Sequence, residues 1–189
     1  MPLATLASDF ADALSWVDAD QIAHKQFAPG IGPYGEADAV RAALAKLRDL
    51  IPARYSSTVI RRLPDLLVPG QWAVECKIAR PFGDNGRHAE HWSENLLHPY
   101  AGNTSALGDC LKLLSSGLRE RKAVIIWGFE HAPPKISLDA AVAGFEELAD
   151  RVMHLHLTPR IEELRSGLIH PVHQQLRLFA YEVIGMRTI

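Results

Sequence analysis

The stretch Leu63-Pro64-Asp65-Leu66-Leu67-Val68-Pro69-Gly70-Gln71-Trp72-Ala73-Val74-Glu75-Cys76-Lys77 sets how the remaining chain is read. Two apolar runs flank a Pro69-Gly70 turn signal, which predicts a β-hairpin with an Asp on its first strand and Glu-x-Lys on its second. Charged side chains are seldom buried unless they are paired or hold a metal, so three of them on one hairpin require a cause. Side chains alternate across a strand, which puts Glu75 and Lys77 on one face and Val74, Cys76 and Ile78 on the other. A two-residue loop would set Asp65 against Val74, on the wrong face. An odd loop, Pro69 to Gln71, sets Asp65 opposite Glu75 and gathers all three ionisable groups on one surface. The odd loop is the expectation adopted.

The flanking segments extend this hairpin into an α/β unit. Before it, Glu36 to Leu50 reads as a helix with an apolar stripe of Val40, Ala43, Leu44, Leu47 and Leu50. Glu36 stands at its amino-terminal end, where the helix dipole favours an acid. After the hairpin, Asn103 to Gly117 reads as a second helix, capped by Asn103, Thr104 or Ser105 and buried through Leu107, Cys110, Leu111 and Leu114. Asp109 and Lys112 are then expected to face solvent. Ala123-Val124-Ile125-Ile126-Trp127 has the continuous apolar character of a strand covered on both faces. Strand, helix, strand in that order predicts a crossover between parallel strands.

Pro64-Asp65 followed by Glu75-Cys76-Lys77 resembles the PD-(D/E)xK nuclease superfamily, sharply over the hairpin and by order of elements over residues 36–130. The resemblance implies a restriction-endonuclease-like fold, a central mixed β-sheet flanked by helices. It implies a Mg²⁺ (or Mn²⁺) ion held by Asp65 and Glu75, with the Cys76 carbonyl as a further ligand. In relatives an acid on the preceding helix often joins the metal site, a role open to Glu36 beside its simpler reading as a dipole-matched residue. Lys77 would orient the attacking water or steady charge on the phosphate; to act as a general base it would need a lowered pKa. Lys112 is the corresponding candidate on the following helix. The expected substrate is nucleic acid, DNA before RNA, and a homodimer is a possible state by the same resemblance. Three further readings stay open: a non-catalytic binding or assembly subunit of the same fold, a half-buried ion network with no catalytic role, and an unrelated small-molecule enzyme whose His/Tyr loop carries the pocket, with its largest cleft away from the hairpin.

The loop between hairpin and second helix is rich in histidine and aromatics, and His98, Tyr100 and Asn103 are its candidates for touching substrate. His88-x-x-His91 has zinc-compatible spacing but lacks a second matching pair. Pro29 to Gly35 is a loop without a P-loop lysine or a GxGxxG sequence, which excludes a nucleotide-binding reading. Among 189 residues no repeat or linker separates a second domain, so one domain is expected over residues 1–189. Within it, residues 1–28 form a helical arm, residues 36–130 the nuclease-like core, and residues 137–189 a helix and a strand. Residues 160–168 are expected to form another short helix, and His154 and His156 to close the preceding one. A formal charge of −2 gives no global attraction to a polyanion. Local clusters, Arg54 with Arg61 and Arg62, and Lys112 with Arg119, Arg121 and Lys122, would have to supply the grip. No apolar run is long enough for a membrane span, no secretory layout opens the chain, and the two cysteines read as buried thiols, so a cytoplasmic protein is expected.

Overall fold

The computed structural model of the chain describes residues 1–99 and 104–187. Its centre is the hairpin. Strand β1 (Leu66–Val68) runs antiparallel to β2 (Trp72–Ala79), with Val68 opposite Trp72 and Leu66 opposite Val74. The connection is the odd loop, and the same register carried back by one residue sets Asp65 against Glu75. Gly70 takes φ +70°, the left-handed conformation that glycine adopts at little cost. Strand β3 (Arg121–Glu130) lies parallel to β2, as the crossover requires. Before β1, Val59 makes a single antiparallel bridge to Leu67.

The sheet is mixed and six-stranded, in the order β1-β2-β3-β6-β4, with β5 also paired to β6. Strand β6 (Gln175–Met186) is antiparallel to β3 and joins it to β4 (Leu155–Leu157) and β5 (Ile161–Ser166). The carboxyl-terminal strand is therefore interior to the sheet. Residues 161–166 are a strand and not the expected helix: Ile161 and Leu164 stand at helical spacing, but pairing along β6 satisfies the backbone of this short polar segment.

Helices cover both faces. On one lie α1 (Leu3–Ala19) and α2 (Glu36–Leu50), packed on Val74, Cys76, Ile78, Trp127 and Leu178. On the other lie α4 (Glu94–Leu97), α5 (Ala106–Ser115) and α6 (Asp139–Arg151), packed on Ala79, Val124, Ile126 and Phe179. The one-turn α3 (Pro52–Tyr55) follows α2. The amino-terminal helix packs into the core of the domain. Leu6, Phe10 and Leu14 are wholly buried, and Phe10 meets Trp127 edge-on at 5.6 Å. Each such side chain contributes roughly 1.5–3 kcal/mol. Its acids are partnered by distant segments: Asp9 accepts from Tyr55 and Arg54, and Asp18 from the amides of Ile31 and Ile169.

Smaller corrections follow from the same packing. Leu50 is exposed, and Ala39 replaces it in the buried stripe of α2. Helix α6 ends at Arg151, so His154, at φ +50°, lies beyond it and His156 belongs to β4. Ser105 caps α5, accepting from the Gly108 amide at 3.1 Å. No helix among the described residues is long and apolar enough to cross a membrane.

Candidate active site

Strand β1 begins only at Leu66, opposite Val74, while β2 runs on to Ala79, so the β2 edge beyond Val74 has no antiparallel strand beside it. Two carboxylates take that strand's place. Asp65 Oδ2 accepts from the Cys76 amide and Glu36 Oε2 from the Ile78 amide, both at 2.9 Å. An unpaired buried amide costs about 1–3 kcal/mol, which explains why acids stand here at all. This places Glu36, the first residue of α2, and Asp65, just before β1, beside the face of β2 that carries Glu75 and Lys77 and is covered by α5.

Lys77 is buried. Its Nζ lies 2.9 Å from Asp109 Oδ2 and 3.4 Å from Glu36 Oε1. Burial alone would lower the ammonium pKa, but Glu36 and Asp109 outweigh it and the net direction is upward. Lys77 is therefore a fixed cation, which removes the general-base role considered from the sequence. Asp109 is also buried, contrary to the solvent-facing position expected of it, and accepts from Lys112 at 2.7 Å. Lys112 is half-exposed and reaches the cluster only through Asp109. Tyr100 and Asn103 lie outside the described residues.

Glu75 is 6% exposed, and its Oε1 has no hydrogen-bond partner among the described residues. Burial first, then repulsion from Asp65 and Asp109 and a hydrogen bond shared with Asp65, push its carboxyl up to about 8. Asp65 is raised mainly by burial, against the opposing pull of the Cys76 amide and Lys77. Glu36 is raised for the same first reason, against Lys77. Four carboxyl groups thus surround one buried ammonium, with Lys112 at the margin. Protons, or a cation, must supply the rest of the balancing charge.

The donor set fits a hard divalent ion: Asp65 and Glu75 offer adjacent carboxyl oxygens, one of them an orphaned buried atom. Glu36 does not join them as closely, since one oxygen serves Ile78 and the other Lys77. Among the described residues, the three side chains whose ligand atoms come within 4.8 Å of one another are instead Asp84, His170 and His173. The His88-x-x-His91 spacing does not form a site. His88 packs on Phe82 at 4.7 Å, and His91 pairs with Glu94. The basic clusters are partly spent on internal pairs, Arg54 with Asp9 and Arg121 with Glu182.

Comparison with known proteins found no matching family model, no matching curated protein and no matching solved structure.

Proposed function

We propose that the chain is a divalent-metal-dependent phosphodiester hydrolase of restriction-endonuclease-like fold, acting on DNA or, as second choice, RNA. The observation that carries this reading is the convergence of Asp65, Glu75 and the buried ammonium of Lys77 along the part of β2 beyond Val74, where β1 no longer pairs with it. The order α2, the Val59 bridge, β1, β2, α5, β3, with β3 parallel to β2, supports it as the arrangement the resemblance implies.

Asp65 and Glu75 would hold the Mg²⁺ or Mn²⁺ ion. When bound, such an ion polarises the phosphate and lowers the pKa of a bound water. The residues of the chain divide the other tasks. Lys77, protonated and fixed from two sides, directs a positive charge at the position where the phosphate gains negative charge. Glu36 and Asp109 are positioning residues: they hold the ammonium and keep it charged. Glu75 must release its proton to serve as a ligand, so occupation of the site rises with pH through the range below about 8.

The test is cleavage of plasmid and single-stranded RNA by purified protein with Mg²⁺ and with EDTA. Mg²⁺-dependent cleavage lost in Lys77→Ala and Asp65→Asn supports the reading. A second reading, a non-catalytic binding or assembly subunit, draws on the burial of Lys77 and the mild net charge. It predicts no cleavage in either condition.

A further inference from the structure

The loop that follows β2 brings Asp84 to the segment preceding β6, where His170 and His173 stand. We propose that Asp84, His170 and His173 form a binding site for a transition-metal ion of the Zn²⁺ type, separate from the Asp65–Glu75 cluster. His173 Nδ1 and Asp84 Oδ1 are both buried, lie 3.6 Å apart, and have no hydrogen-bond partner among the described residues. Two oxygen or nitrogen ligands on one tetrahedral zinc ion are separated by about 3.4 Å, given bond lengths near 2.0–2.1 Å. The pair thus stands close to the spacing that shared coordination imposes.

The surroundings fit a ligand role. His173 Nε2 lies 3.1 Å from the Phe82 carbonyl, to which only an N–H can donate. That bond fixes the proton on Nε2 and leaves the Nδ1 lone pair facing Asp84, as metal-ligating histidines require of their second nitrogen. His170 stacks on His173 with ring centroids 4.6 Å apart, and its ligand atom falls within 4.8 Å of the other two. Its Nδ1 accepts two long bonds from the amides of Val172 and His173, at 3.2 and 3.3 Å, which puts the ring proton on Nε2, so ligation by His170 through Nδ1 exchanges those two long bonds for the metal. Gly32 completes the fit: a Cβ there would stand 2.2 Å from His173 Nδ1, so only glycine leaves that nitrogen room. Asp84 and His170 also line a cleft of about 490 Å³ with Gln26, Phe27 and Asn85, which gives an ion access from solvent and room for a water as fourth ligand. Two imidazoles and one carboxylate select Zn²⁺ or a similar borderline ion over Mg²⁺, which prefers an all-oxygen shell.

The test uses the full chain, stripped of metal and titrated with Zn²⁺ by calorimetry, with Co²⁺ absorption and proton NMR as the second readout. One Zn²⁺ per chain is expected, with Asp84→Asn and His170→Gln each weakening it at least about tenfold. His91→Ala, which changes an exposed histidine outside the site, should leave it unaltered. Co²⁺ should give the visible bands of a low-coordinate site and a paramagnetically shifted, slowly exchanging imidazole N–H from His173. Absence of Zn²⁺ binding by the wild-type chain overturns the proposal. Binding that survives both substitutions, or Co²⁺ spectra without shifted imidazole signals, overturns it as well.

Discussion

Glu75→Gln is expected to make the protein more stable while removing the proposed hydrolysis. The carboxyl is pushed from 4.5 to about 8 by burial and by its acidic neighbours, so the folded protein holds a proton that the unfolded chain releases throughout that range. Stability therefore falls as pH rises through this window, by roughly 1.4 kcal/mol for each pH unit. At pH 7 the accumulated penalty is about 3 kcal/mol by that slope. Glutamine keeps the shape, can donate to Asp65, and carries no charge to desolvate. For a chain of this size the gain corresponds to about 6–12 °C in melting temperature. Urea unfolding at a series of pH values from about 5 to 8 measures it, since stability at each pH follows from the linear dependence on denaturant. The wild-type protein should lose stability across the series, and Glu75→Gln should be both more stable at the upper end and much flatter. A variant that is less stable at every pH, with the wild-type slope retained, would refute the claim that Glu75 is a strained buried acid.

Three other outcomes follow from the same structure. Lys77→Met should cost about 3–5 kcal/mol in chemical denaturation, because Asp109 and Glu36 are left without their shared cation; a cost below about 1 kcal/mol would show that the ion cluster is loose. Gly128→Ala should cost about 2–3 kcal/mol, since the new Cβ would stand 2.3 Å from the Ala79 carbonyl oxygen and 2.6 Å from Leu138 Cδ1. Unchanged thermal stability would mean that β2 and β3 can separate at that point. Cys76 and Cys110 are wholly buried, which raises both thiol pKa values, so an aromatic disulfide reagent should modify neither in the native protein and both in denaturant. Rapid labelling of the native chain would contradict this packing.

The hairpin was legible in the sequence because its signal is local. Alternation fixes which side chains share a face, and a three-residue loop is the spacing that puts Asp65 opposite Glu75. The parallel crossover to β3 was legible for a similar reason, from a helix between two apolar strands. Asp109 was missed although a sign of it existed. Ala106, Asp109, Cys110 and Leu113 share a helical face, so the acid sat in the buried stripe and called for a cation opposite it. The stripe expected through Leu111 and Leu114 lies one step round, and those two are only partly buried. The apolar stripe of helix α1 was legible, but not the partners of its acids. Their partners, Tyr55, Arg54, Ile31 and Ile169, come from segments that no local pattern connects to it. The same distance hides Asp84 from His170 and His173, which meet only through the tertiary fold. Strand β5 failed for a different reason: six residues with apolar side chains three apart satisfy a helical template as well as an extended one, and pairing with β6 decides between them.

The account stands most directly on whether Asp65 and Glu75 bind a divalent ion together. Crystals soaked in Mn²⁺ at a pH above that needed to ionise Glu75, and measured for anomalous scattering, would answer it. A peak in contact with both carboxylates, near Lys77 and absent in Glu75→Gln crystals, is the predicted result. Full Mn²⁺ occupancy elsewhere with no peak between Asp65 and Glu75 would contradict the hydrolase reading and leave the cluster as an ion network that closes the edge of β2.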